Sequence, residues 1–135
     1  MRKLGIDYGE KRIGIAVSDP LGIAAQPVEV IENSDQVIER LSDIVSRYEQ
    51  VDEIIVGLPK TLKGEVGIAA EKVLKFVEEL KKVVKIPIVT WDERMTTAAA
   101  EKNLIAAGLS RGKRKKVIDK SAAAYILQSY LDVKR

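Results

Sequence analysis

Three acidic residues from separate parts of the chain are the first candidates for chemistry. Asp7 lies in a Gly-x-Asp-x-Gly motif, Glu93 lies in a Trp-Asp-Glu-Arg motif, and Asp119 precedes an alanine-rich segment. The 135 residues include no cysteine and no histidine, which excludes thiol chemistry and histidine-based proton transfer or metal ligation. Catalysis by this chain must therefore use carboxylates, lysine, tyrosine, hydroxyls or a metal held by oxygen ligands.

The surroundings of each acid allow both a functional and a structural interpretation. The two glycines flanking Asp7 would let a ligand approach the backbone closely, although the same motif suits a plain hairpin turn. Glu93 follows an apolar strand, and the alternation of side chains along a strand separates it from Asp92. Asp119 in the first turn of a helix is favoured by the helix dipole alone. The cationic segment before Asp119 also suits a metal ligand beside a phosphate-binding loop.

The three acids predict a divalent-metal site if they meet at one edge of a sheet. Carboxylate oxygens are hard ligands that suit Mg²⁺ or Mn²⁺, and clustered carboxylates repel one another unless a cation neutralises them. One or two such ions would serve; a pair about 3.5–4 Å apart activates water and stabilises the leaving oxygen in phosphodiester cleavage. This chemistry requires neither histidine nor cysteine.

Basic residues are concentrated towards the end of the sequence. Residues 111–135 carry a net charge of +6, whereas residues 1–110 carry −3. This asymmetry predicts a polyanionic partner, with a solvated run of charge as the alternative. The segment GLPKTLKG (57–64) could also hold an anion beside a helix N-terminus, although it does not match the P-loop pattern. The residues expected to contact nucleic acid are Lys11, Arg12, Lys60, Arg94, Arg111, Lys113, Arg114, Lys115 and Lys116.

The hydrophobic pattern predicts the order βββαβαβαα. The predicted strands are Lys3–Asp7, Arg12–Ser18, Gln26–Ile31, Ile54–Val56 and Ile86–Trp91. The first predicted helix begins after a cap at residues 33–35. The second spans about 65–84, and its predicted inward residues are Val66, Ala69, Ala70, Val73, Phe76, Val77 and Leu80. The third runs from a cap at 96–97 to 107, a basic loop covers 110–116, and the last helix spans about 117–133. This order predicts a single α/β domain over residues 1–135, in which a mixed five-stranded sheet carries helices on both faces.

Two further features concern location and assembly. No apolar run approaches the roughly 18 residues of a membrane helix, and the first residues do not form a secretory signal. We therefore expect a cytoplasmic protein without a membrane partner. The sequence leaves a monomer and a homodimer equally open.

Four segments resemble the YqgF family, also called RuvX, which belongs to the RNase H-like group related to Holliday junction resolvases. They are GIDYGEKRIGIAVSD (5–19), VGLPKTLKG (56–64), TWDERMTT (90–97) and KKVIDKSAAAYIL (115–127). The resemblance implies an RNase H-like fold and a metal-dependent nuclease with Asp7, Glu93 and Asp119 as catalytic and metal-binding acids. It also implies two substrates: the 5′ end of the 16S ribosomal RNA precursor, and branched DNA.

One departure from related resolvases affects the third acid. Those proteins place an acid at the end of the fourth strand, where this chain has VGLPK (56–60). Glu93, one strand further on, would have to substitute, and Asp92 is the alternative.

Two other function classes remain as alternatives. The first hairpin also resembles the phosphate-binding hairpin of the actin and sugar-kinase superfamily, which needs two domains and more than 135 residues. A non-catalytic nucleic-acid-binding or ribosome assembly factor would use the basic end alone.

Overall fold

A computed structural model describes residues 1–61, 63–96, 105–113 and 121–134 of the chain. Within these residues, five strands form one sheet that carries three main helices. The elements are β1 (Arg2–Tyr8), β2 (Arg12–Ser18), β3 (Ala25–Glu32), α1 (Val37–Arg47), β4 (Val51–Leu58), α2 (Ile68–Lys81), β5 (Ile88–Asp92) and α3 (Ala122–Lys134). Short helical stretches also cover residues 93–96, 105–106 and 111–113. None of the described helices has the length and apolar character needed to cross a membrane.

The sheet is mixed, with the strand order β3-β2-β1-β4-β5. The first three strands pair antiparallel, whereas β4 is parallel to β1 and β5 is parallel to β4. This arrangement confirms the predicted sheet of three antiparallel strands followed by βα units. It also brings the carboxyl ends of β1, β4 and β5 to the same edge, where sheets of this kind place their binding sites.

Alternating side chains divide the core into two layers, as the strand period requires. Leu4 and Ile6 of β1 face α1 and α2 on one side of the sheet. Ala16 of β2 and Ile55 of β4 face α3 on the other side. Helices therefore cover both faces, as the sequence predicts.

Helix α3 lies unusually close to the sheet. A Cβ atom placed on Gly5 would lie 2.8 Å from the Leu127 Cβ and 3.0 Å from the Ala123 carbonyl oxygen. Only a glycine lets β1 and α3 approach to this distance. The small residues of the SAAA segment (121–124) meet the same need from the helix side.

Two side-chain hydrogen bonds fix α3 across the parallel strands. The Trp91 indole Nε1 donates to the Ser129 hydroxyl at 3.1 Å, and the Trp91 ring packs edge-on against Tyr130. The Tyr130 hydroxyl donates to the Glu53 carboxylate at 2.6 Å. Burial, together with this hydrogen bond, raises the pKa of Tyr130 to about 12, so the hydroxyl remains a donor at neutral pH.

The start of α2 differs from the sequence prediction. The helix begins at Ile68 rather than near residue 65 because the preceding residues close a loop: the Thr61 hydroxyl accepts the Glu65 amide at 3.1 Å, and the Thr61 amide donates to the Glu65 carbonyl at 3.0 Å. The inward placement predicted for Val66 and Ala69 is wrong, because both are exposed. The other residues predicted to face inward are buried: Ala70, Val73, Phe76, Val77 and Leu80.

Three other local predictions differ from the structure where it describes them. Helix α1 has Gln36 as its N-cap without a side-chain cap, although the Ser34 hydroxyl accepts the Gln36 amide at 3.3 Å. Thr96 does not stand at the start of a helix, because residues 93–96 are already helical. Thr97, the other residue of the predicted cap, and residues 98–104 lie outside the described residues. In the predicted basic loop, residues 111–113 are helical, and residues 114–116 lie outside the described part of the chain.

Candidate active site

Asp7 lies near the carboxyl end of β1, on the face that α3 covers. Asp7 pairs with Gly14 on the neighbouring strand β2. A Cβ placed on Gly14 would lie 3.8 Å from the Asp7 Cβ and 3.6 Å from the Ala123 Cβ of α3. Because Gly5 shares this face and contacts α3, residue 7, two positions further on, points the same way. The GxDxG motif therefore places its carboxylate beside the first turn of α3.

Glu93 immediately follows β5 and lies against β4. Its Oε1 atom is 2.7 Å from the position that a Cβ on Gly57 would occupy, and its side chain is half-buried. Burial, together with the negative charges of Asp7 and Asp92, raises the pKa of Glu93 to about 7. Ile6 pairs with Val56 where β1 lies beside β4, so Asp7 lies next to Gly57 and the Glu93 carboxylate above it. Two of the three predicted acids therefore lie at the same edge of the sheet.

Asp92 is engaged elsewhere. The Arg94 Nε donates to both Asp92 carboxylate oxygens at 3.2 and 3.1 Å, and an Arg94 terminal nitrogen donates to Asp92 Oδ2 at 2.7 Å. The Arg94 backbone amide also donates to Asp92 Oδ1 at 3.0 Å. These hydrogen bonds, with the Arg94 charge, lower the pKa of Asp92. Neighbouring acids in the sequence thus have opposite environments.

The Arg94 guanidinium packs on the loop that follows β4. Its terminal nitrogens lie 3.3 and 3.4 Å from the position of a Cβ on Gly64, whose φ of +81° favours glycine. Lys60 lies in the same loop, and its charge also lowers the pKa of Asp92. Asp92 therefore holds Arg94 beside a second cation at the site edge of the sheet.

The other basic residues fall into two groups. Lys11 and Arg12 are exposed where β2 begins, which is the same sheet edge as Asp7 because β1 and β2 are antiparallel. Arg12 and Asp7 both line a groove of about 570 Å³ that runs between β3 and the start of α3. Arg111 and Lys113 are exposed on the helical stretch 111–113.

Several predicted site residues lie outside the described residues. They are Asp119, Arg114, Lys115 and Lys116. Within the described part of the chain, no group of three or more acidic side chains is placed to hold a metal. The structure therefore describes a pair of acids, Asp7 and Glu93, rather than the predicted three.

The chemistry of this pair fits a hard divalent cation. Both donors are carboxylates, which Mg²⁺ and Mn²⁺ prefer. Their mutual repulsion contributes to the raised pKa of Glu93. A cation bound between the two carboxylates would outweigh that repulsion and lower the pKa of each. Thiolate and imidazole ligands are absent from the whole sequence, since it has no cysteine and no histidine.

Sequence reasoning missed the part played by Gly57. The glycine lies near the end of β4, and its missing side chain leaves the space that Glu93 fills. A glycine in a strand signals close approach by another group, but the pattern does not identify that group.

Comparison with known proteins identifies the family of this chain. The model of the family described as "RuvX: Holliday junction resolvase" matches residues 1–133. A Desulforamulus reducens protein named "Putative pre-16S rRNA nuclease" is 56% identical over 134 residues, covering 98% of this chain and 97% of the relative. A Geobacillus kaustophilus protein of the same name is 52% identical over 139 residues, covering 100% of both chains.

Solved structures show the same fold. RuvC of Thermus thermophilus, in complex with a Holliday junction substrate, aligns with a TM-score of 0.61 at 17% identity, over 96% of this chain and 92% of that chain. The fowlpox virus Holliday junction resolvase aligns with a TM-score of 0.52 at 15% identity, over 98% and 99% of the two chains. These likenesses confirm the RNase H-like fold. Because the family model and the curated relatives both match almost the whole chain, this protein belongs to the RuvX family.

Proposed function

We propose that this chain is a metal-dependent nuclease that cleaves phosphodiester bonds at the 5′ end of the 16S ribosomal RNA precursor. The observation that carries the proposal is the meeting of the Asp7 and Glu93 carboxylates at the edge of an RNase H-like sheet. The names of the curated relatives support the choice of substrate. Family membership favours this function over the kinase-like alternative and over a purely binding role.

The proposed metal ligands are Asp7, Glu93 and Asp119, with Mg²⁺ or Mn²⁺ as the ion. The chemistry that such ions supply when bound is activation of a water nucleophile and stabilisation of the leaving oxygen. Glu93 is favoured over Asp92 as a ligand because the Asp92 oxygens are hydrogen-bonded to Arg94. We assign the whole chain, residues 1–135, to one nuclease domain, and we place the protein in the cytoplasm with the ribosomal precursors it would process.

The basic residues around this edge would bind and orient the substrate backbone. Arg12 lies at the groove beside Asp7, and Lys60 and Arg94 lie on the opposite side of the acid pair, after β4 and β5. Cations on both sides of the acids would hold a phosphate between them, since phosphate contacts fix register and orientation. Glu93, with its pKa near 7, could also hold a proton near the reacting phosphate before metal binds.

A second candidate function is the resolution of branched DNA. The description of the matching family favours it, and it would use the same acids and the same cations. The two functions differ in substrate rather than in chemistry, so they are distinguished by comparing substrates.

The test of the proposed function is cleavage of two substrates side by side. A 16S precursor and a four-way DNA junction are incubated with the protein in Mg²⁺, in Mn²⁺ and in EDTA. We expect the precursor to be cut near its 5′ end in either metal and to remain intact in EDTA. Preferred cutting of the junction would support the second candidate, and undiminished cleavage in EDTA would exclude the metal-dependent mechanism.

A second prediction concerns the basic segment after residue 110. Replacing Arg111, Lys113 and Lys116 with alanine should weaken RNA binding and flatten the salt dependence of log K by about 0.7–0.9 per lost phosphate contact. The matched control removes three exposed lysines at the end of α2 and just after it: Lys81, Lys82 and Lys85. These lie at the opposite edge of the sheet, because α2 runs back from the site. An equal change in the salt dependence of both variants would mean that net charge determines RNA binding and that the basic segment makes no specific phosphate contacts.

A further inference from the structure

Gly57 is the point at which three elements meet around the Glu93 carboxylate. A Cβ placed on this residue would lie 2.7 Å from the Glu93 Oε1 and 3.1 Å from the Glu93 Cγ. It would also lie 2.6 Å from the Cδ1 of Ile126 on α3. Real Cβ atoms do not approach other atoms this closely, so any side chain at position 57 would have to move one or both neighbours.

The strand register explains why Glu93 reaches this position. Gly57 pairs with Trp91, and Leu58 pairs with Asp92 at the end of the β4–β5 ladder. Residues 93–96 then turn into a helical conformation, which carries the Glu93 side chain back over β4. Ile126 is buried and closes the space from the α3 side, so the carboxylate stands between a bare backbone and an apolar side chain.

We propose that Gly57 is a positioning residue for Glu93, and that the acid of this site can be supplied from position 57 on β4 as well as from position 93 on β5. The inference rests on the proposed function, because it concerns the same acid pair. Its physical basis is that the two positions compete for one volume: the Cβ vector of residue 57 points into the space that the Glu93 carboxylate occupies. The Glu93 carboxylate therefore occupies the space that a side chain at position 57 of β4 would fill.

The test moves the acid between the strands. Glu93→Ala removes the carboxylate, Ile126→Val removes the Cδ1 atom that blocks position 57, and Gly57→Asp supplies a new carboxylate. We expect the triple variant to regain at least half of the wild-type rise in melting temperature on addition of Mn²⁺, and to cleave at least about tenfold faster than Glu93→Ala, the lower end of the range by which ligand environments alter metal affinity or activity.

The matched control carries Gly57→Asn with the same two other substitutions, so that it fills the same volume without a charge. It should give neither the Mn²⁺-induced shift nor the recovery of cleavage. Equal behaviour of the Gly57→Asp and Gly57→Asn triple variants, with both folded by circular dichroism, would overturn the proposal.

A second variant keeps the proposal testable if the triple variant does not fold. Gly57→Ala with Ile126→Val retains Glu93 but puts a methyl group where its carboxylate lies. We expect this protein to lose about 10–100-fold in Mn²⁺ affinity, as when groups that orient a metal ligand are disturbed. The comparison is with Ile126→Val alone. Unchanged affinity would show that Gly57 does not position Glu93, whereas a wild-type protein without any Mn²⁺ response would contradict the proposed function itself.

Discussion

Asp7→Asn is expected to abolish cleavage of the ribosomal precursor while leaving the metal-free protein at least as stable as the wild type. Loss of an essential catalytic group lowers the rate by about 10³-fold or more. The negative charge of Asp7 raises the pKa of Glu93, so its removal relieves a repulsion that the folded protein carries. A melting temperature in EDTA that equals or exceeds that of the wild type, together with lost cleavage, is the expected result.

The chain supplies a structural aspartate as a control for this prediction. Asp19 accepts backbone amides from Ile23 at 2.7 Å and from Ala24 at 2.9 Å, and so closes the loop between β2 and β3. Asp19→Asn should lower the melting temperature and preserve metal-dependent cleavage. If Asp7→Asn behaved like Asp19→Asn, with reduced stability and retained cleavage, Asp7 would be a turn residue and not a catalytic acid.

Glu93→Gln is expected to stabilise the metal-free protein at high pH but not at low pH. The folded protein holds the Glu93 proton more tightly than the unfolded chain does, since burial and charge raise its pKa from 4.5 to about 7. Wild-type stability from this group is therefore greatest below pH 4.5 and falls as the pH rises to about 7. After allowance for partial exposure, the variant should gain about 1–2 kcal/mol relative to wild type above pH 7.

Denaturant unfolding in EDTA at pH 4 and pH 8 measures this difference. Glu79→Gln, which changes an exposed acid on α2, is the control and should match the wild type at both values. Glu93→Gln should also reduce cleavage and the metal-induced rise in melting temperature. If it retained both in full, Glu93 would not be a ligand, and Asp92→Asn would be the next variant to compare.

Local patterns were sufficient to predict the architecture. Short apolar runs with β-branched residues predicted β1 and β2, and one apolar stripe at helical spacing predicted α1. Each pattern reflects which residues must be buried, and burial largely determines the element. The errors arose where side chains compete with the backbone. The Thr61 hydroxyl, for example, closes a loop, so that α2 begins later than the apolar pattern predicts. A pattern of apolar residues carries no information about such a hydrogen bond.

The site was predictable one residue at a time but not in its geometry. Asp7 and Glu93 could be selected because polar residues at strand ends are exposed to ligands. The exclusion of Asp92 depends on Arg94, two residues on, folding back onto it. The space for Glu93 depends on Gly57, which is 36 positions away in the sequence and adjacent only after β4 and β5 pair. Contacts of this kind are set by tertiary packing, which a single sequence does not encode locally.

The late position of α3 in the chain has a consequence during synthesis. The face of the sheet formed by Gly5, Ala16 and Ile55 is covered by this helix, which is made after every strand. At typical elongation rates of about 5–20 residues per second, a nascent chain holds the finished sheet with one apolar side open to solvent for a second or more. Chaperones that bind apolar surface would meet the growing protein in that interval, and a chain that stopped before α3 would keep that surface exposed.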